Sequence, residues 1–210
     1  MSLRALPRAV LLVGAALGPS LLLGDSAAPR GEGPPPVGVH AAGRPYADGP
    51  PLAVTGGFGE ATCHSCHNEL ELNQDGSGTL SVEGLPDQYE PGSTYVVTVV
   101  VNSEGMVRAG FEAAFRFVGS PPPGRQAGSM SAVDERVAVG HLGLTPVFYA
   151  YHTRAGSVPP ATDLATWTFE WVAPTSSDPV ALHLVANSAN GDNSPLGDFI
   201  LTRSDTLRAR

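Results

Sequence analysis

The hydrophobic positions of this chain fall into two regimes. Up to about residue 78 they follow no strand or helix period, and beyond it they alternate, one residue in and one out. In STYVVTVVV (93–101), Tyr95, Val97, Val99 and Val101 share a face. In 111–117, Phe111, Ala113, Phe115 and Phe117 face one way, Glu112 and Arg116 the other. Trp167, Phe169 and Trp171 oppose Thr166, Thr168 and Glu170, and Val180, Leu182, Leu184 and Ala186 oppose Ala181 and His183. A sustained period of two predicts half-buried antiparallel strands. Shorter candidates lie at 79–83, 135–141, 147–153 and 198–202. About eight strands between Pro, Gly, Asn and Asp turns predict an all-β, immunoglobulin-like antiparallel sandwich. Trp167 and Trp171 belong to its core. The one helix expected is a turn or two within 63–72.

The aperiodic part divides further. Residues 1–28 read as an export signal: Arg4 and Arg8 precede the apolar run 9–24, and small residues Ser26, Ala27 and Ala28 follow. Membrane association is expected only if this segment stays uncleaved. Residues 29–54 are rich in Pro and Gly and read as a flexible linker. A cysteine-bearing segment spans 55–78, the sandwich 79–203, and a short tail 204–210.

The chain has 210 residues, with 25 Gly, 20 Pro and a formal charge of −8. All the basic residues are Arg, and none cluster with aromatics, which argues against a nucleic-acid groove. There is no nucleophile elbow, phosphate-binding Gly loop or H-E-x-x-H. NQDGSG (73–78) and NGDNSPLGD (190–198) cluster oxygens that suit Ca²⁺, but the same residues make tight turns, and the turn reading is preferred.

The chemistry concentrates at the two cysteines, in Cys63-His64-Ser65-Cys66-His67. C-x-x-C-H is the attachment pattern for haem c. The spacing sets both thiols on one side of a turn, each to add to a porphyrin vinyl group, and places His67 to bind iron as the proximal ligand. A redox C-x-x-C lacks the βαβ context here, and a zinc site would need a further ligand such as His141 or His152. A disulfide in so small a loop would add little stability. Haem c is therefore the expected cofactor. For the sixth iron position the candidates are His40, His141, His152, His183, Met106 and Met130. His152, ending the apolar run VFYAYHT, is favoured as the distal ligand, with an open sixth site the alternative.

These residues also resemble a known group. TGGFGEATCHSCH (55–67) resembles the segment that opens many secreted bacterial proteins with a Reelin-like (reeler) domain of the choice-of-anchor type. YEPGSTYVVTV (89–99), AGFEAAF (109–115), YHTRAG (151–156), WTFEWVAP (167–174) and VANSANGDNSPLGDFI (185–200) resemble its later strands. The resemblance covers about 55–203. It implies a reeler-type sandwich and singles out His152 by position, but it supplies no reaction. Members often carry a C-terminal anchor or sorting tail, and LTRSDTLRAR (201–210) lacks that signature. The expected function is an exported monohaem electron carrier of the periplasm or cell surface, docking a redox partner protein of the envelope. The alternatives are an adhesion module with a structural or sensory haem, and a haem enzyme with open iron.

Overall fold

The computed structural model describes residues 46–119 and 122–210. The expected export signal and the linker as far as residue 45 lie outside the described residues.

The alternating segments form ten strands: β1 (Thr79–Glu83), β2 (Gln88–Tyr89), β3 (Thr94–Asn102), β4 (Arg108–Phe117), β5 (Ser129–Ala132), β6 (Val137–His141), β7 (Phe148–His152), β8 (Leu164–Val172), β9 (Val180–Ala189) and β10 (Phe199–Ala209). They pair into two sheets, in the orders β1-β3-β8-β5 and β2-β10-β9-β4-β7-β6. Every pairing is antiparallel except β2 with β10. The chain is a two-sheet β-sandwich.

Register decides which side chains meet. Val97 lies opposite Phe169 and Val99 opposite Trp167 on one sheet. Phe111 lies opposite Ala186 and Phe115 opposite Leu182 on the other. The two inner faces then lock through aromatic stacks: Phe111 on Trp167 at 4.8 Å and Phe115 on Trp171 at 4.2 Å between centroids. Both indoles are buried, and each spends its N–H on a loop carbonyl, Trp167 on Gly156 at 2.9 Å and Trp171 on Ala127 at 3.0 Å. Large apolar rings with satisfied polar handles make a dry and specific core.

The structure corrects four expectations. Residues 204–210 are not a tail: β10 runs to Ala209, paired with β9 as far as Leu207 opposite Val180 and then with β2, and Leu207 is buried. Residues 46–54 are not free linker: Leu52 packs with Ala114, Val147 and Tyr149 on the outer face of the six-stranded sheet. Burial of that leucine and of the backbone around it outweighs the extended preference of the prolines. The expected helix shrinks to a single 3-10 turn, Cys63–Ser65. Residues 129–132, outside every expected strand, form β5, held by its pairing with β8 and not by any alternation of its own.

Candidate functional site

The site is built on the outer face of the six-stranded sheet. Gly110 lies opposite Asn187, Glu112 opposite both Val185 and Tyr151, and Ala114 opposite His183, so these positions share the face turned away from the core. The chain preceding β1 covers them.

That cover begins with a hairpin closed by a bridge between Thr55 and Thr62 and a Gly56 N–H to Ala61 carbonyl bond of 2.9 Å. Gly56, Phe58 and Gly59 all take positive φ, at 79°, 53° and 85°. Gly57 lies so close to His183 that a Cβ would come within 2.5 Å of its ring. The glycines of T-G-G-F-G-E are thus required by the turn and by its approach to the sheet. Phe58 tucks in at the tip, with the Arg116 guanidinium 4.7 Å from its centroid and His183 edge-on at 5.2 Å. Glu60 closes the hairpin: it pairs with Arg116, accepts the Tyr149 hydroxyl at 2.6 Å and accepts the Thr55 hydroxyl at 2.5 Å.

The motif follows at once. The Thr62 hydroxyl caps the turn by accepting from the His64 N–H at 3.2 Å. The N–H groups of Cys66 and His67 both donate to the Cys63 carbonyl, at 3.1 and 3.0 Å. This short coil lies against β9. The His64 side chain is fixed as well, donating through Nε2 to the Leu70 carbonyl at 2.9 Å. Cys63 and Cys66 are both free thiols. Cys66 is exposed; Cys63 is half-buried, and desolvation, with Glu112 adding to it, pushes its thiol up to about 12.

His67 is held from far along the chain. Its Nδ1 donates to Oδ2 of Asp198 at 2.7 Å, and Asp198, 2% exposed, accepts the Asn190 N–H on its other oxygen at 3.1 Å. Asn187 approaches the ring only at 3.4 to 3.5 Å. Nδ1 is therefore committed, and Nε2 is the nitrogen left for ligation. A carboxylate behind a ligating imidazole is the usual way to fix its tautomer and raise its basicity.

A c-type haem requires two free thiols one turn apart and an imidazole with one uncommitted nitrogen. The donor set here fits. The cleft beside the motif is lined by Thr55, Gly56, Thr62, Leu72, His183 and residues 202–204. Its volume of 230 Å³ lies below the roughly 300 Å³ at which ordinary ligand pockets begin. The residues thus offer attachment and ligation, not enclosure. Among the described residues, no group of three or more His, Cys, Asp and Glu side chains is placed to hold a metal ion unaided.

His152 is not brought to His67 as a free ligand. Its Nε2 donates to the Tyr46 carbonyl at 3.0 Å and its Nδ1 accepts the Phe111 N–H at 3.1 Å. Both nitrogens are engaged, and burial lowers its pKa, so it is a neutral pin between β7, β4 and the covering chain. Gly110 makes room for it: a Cβ there would come within 2.7 Å of Cε1. Of the other sixth-position candidates, His183 lies under Gly57 and Phe58, Met106 is buried in the core, Met130 packs against that core, and His141 is exposed beside Phe148. His40 lies outside the described residues. In the 190–198 loop, Asn190, Asp192 and Ser194 each accept the N–H two residues on, the pattern of Asx and Ser turns.

Glu112 faces outward from the sheet, as the alternation placed it, yet the covering chain buries it completely. Oε1 accepts the Val54 N–H at 2.8 Å, while Oε2 has no partner among the described residues. Desolvation, above all, pushes this carboxyl up to about 8.

No protein-family model matches the chain, and no curated protein does. Among solved structures it is similar to the human F-spondin reeler domain, at 20% identity over 64% of this chain and 89% of that one, with a TM-score of 0.43. It is also similar to the Reelin-N domain of F-spondin (18% identity, 70% of this chain, 96% of that one, TM-score 0.44). A cohesin module from a Clostridium perfringens family 33 glycoside hydrolase follows (13%, 64%, 97%, 0.41). At these identities and scores the likeness adds no residue and no activity to the site.

Proposed function

We propose that this chain is an exported monohaem c-type electron carrier of the periplasm or cell surface. One observation carries the reading: two free thiols flank a turn whose closing histidine, His67, is oriented by the buried Asp198 through Nδ1. In this reading Cys63 and Cys66 form the thioether bonds and His67 ligates iron through Nε2. Haem held there supplies a one-electron couple. The sandwich is the rigid base: β9 supports the turn, the 190–198 loop presents Asp198, and the Gly-rich hairpin fixes the start of the coil. His152 has no iron to bind in this account, since its nitrogens already hold Phe111 and Tyr46. The formal charge of −8 favours a neutral or basic redox partner, with an association that weakens as salt rises.

Spectroelectrochemical titration of the matured, exported chain tests the proposal. A reversible one-electron wave is expected. Attached haem that exchanges no electron with any mediator would rule out the carrier function and leave a binding module.

A further inference from the structure

Beneath the motif segment, on neighbouring outward positions of β4 and β9, three buried polar atoms lack a partner among the described residues: Glu112 Oε2, His183 Nδ1 and Asn187 Oδ1. Of the three residues only Glu112 is fully buried, and it is the carboxyl. One of its oxygens is bonded only by the covering backbone, and no described cation pairs with it. Arg116, on the same face of β4, is engaged by Glu60. A buried carboxyl without a counter-charge keeps its proton.

The groups facing it leave it that role. From the turn comes Cys63, held as the thiol by burial in the haem-free chain. From β7 come Tyr149 and Tyr151, both pushed up by desolvation and so neutral. From β9 comes His183, pushed down by desolvation and by Arg116. The hairpin contributes Glu60, already paired with Arg116. Glu112 therefore sits in a dry layer beside the first sulfur anchor: it accepts the Val54 N–H, and Val54 and Cys63 flank the same Thr55–Thr62 bridge.

We propose that Glu112 is a proton-binding site coupled to the redox state of the group held at Cys63, Cys66 and His67. The inference rests on the haem reading above. Haem held there would supply a one-electron couple; on reduction by an external one-electron donor the Glu112 carboxylate would take up one proton from water, and on oxidation it would release it. The physical cause is plain: the extra positive charge of the oxidised site favours the carboxylate, and its loss in a low-dielectric layer favours the acid. Electron transfer by this chain is thus proton-linked, and its driving force depends on pH.

Glu112→Gln keeps the size of the side chain and an oxygen for the Val54 N–H while removing the titration. In exported full chain verified for covalent haem, the wild-type midpoint potential is expected to fall as pH rises through neutrality, and the E112Q potential to stay flat. An independent readout uses the haem-free chain: an infrared band of a protonated buried carboxyl, present near pH 7 and missing in E112Q. Parallel pH profiles for the two proteins, or no such band in the wild type, overturn the inference. A chain that never acquires haem overturns the earlier reading and the coupling with it, while the infrared band would still report the proton on Glu112.

Discussion

His67 and Asp198 are joined by a 2.7 Å hydrogen bond that spans 131 positions of the chain. It ties the end of the C-x-x-C-H coil to the loop before β10, so the imidazole is aimed by the sandwich and not by the coil alone. The carboxyl group is buried behind it and braced by the Asn190 N–H. Orientation of this kind costs the folded chain little once the loop is in place and is lost when the carboxyl is removed.

Asp198→Ala should therefore leave the thioether bonds intact and weaken ligation by His67, by about 10- to 100-fold. The midpoint potential should rise, because an imidazole without its carboxylate partner is a poorer donor to the oxidised iron. Absorption spectra and redox titration of the matured variant check both effects.

His152→Ala should destabilise the fold by about 2–4 kcal/mol, since it empties a buried position, strands the Phe111 N–H and removes the tie to the Tyr46 carbonyl. The iron spectrum of the matured protein should stay as it is in the wild type. Urea denaturation gives the first result and absorption spectroscopy the second; a changed spectrum would restore His152 as a ligand. Gly110→Ala, which drives a Cβ into the same ring, should destabilise in the same direction.

The difference in stability between wild type and Glu112→Gln should depend on pH. The Glu112 carboxyl is raised in the folded chain from 4.5 to about 8, so the folded state binds the proton more tightly than the unfolded one. Its contribution is fully present below pH 4.5, falls as pH rises, and is gone above about 8. Relative to E112Q the wild type should thus lose stability steadily between those limits. Denaturant titrations of haem-free protein at pH 5, 7 and 9 measure it.

In the haem-free chain the two thiols should react at different rates. Cys66 is exposed, whereas the Cys63 thiol is pushed up to about 12 by burial. Timed alkylation with iodoacetamide, read by mass spectrometry of the peptides, should label Cys66 first. Equal rates would show that the coil does not dock against β9 before haem is attached.

How much of this was legible follows from what a pattern can encode. Strands β3, β4, β8 and β9 were readable because large apolar residues recur at every second position of each, and those positions supply the core between the sheets. The far half of β10 was not, because Arg203 to Arg208 offers one apolar residue, Leu207, and its strand state comes from pairing with β9 and β2. Alternation also names the face a residue takes and not what covers that face, which is why it set Glu112 outward without showing its burial. The C-x-x-C-H motif was visible as local spacing. Asp198 was hidden inside a run that reads as turn chemistry, its partner far away in sequence. His152 was visible as a strand-end histidine, but hydrogen bonds to backbone leave no mark on side-chain order.

The central claim is that a single porphyrin is bonded to Cys63 and Cys66. Intact mass and a pyridine haemochrome spectrum of the exported chain, matured in a host with c-type attachment machinery, test it most directly. The account predicts a mass increased by one haem that survives denaturation, a c-type absorption band, and no thiol left to alkylate. A chain at its unmodified mass, with no c-type band and both cysteines still reactive, would contradict it.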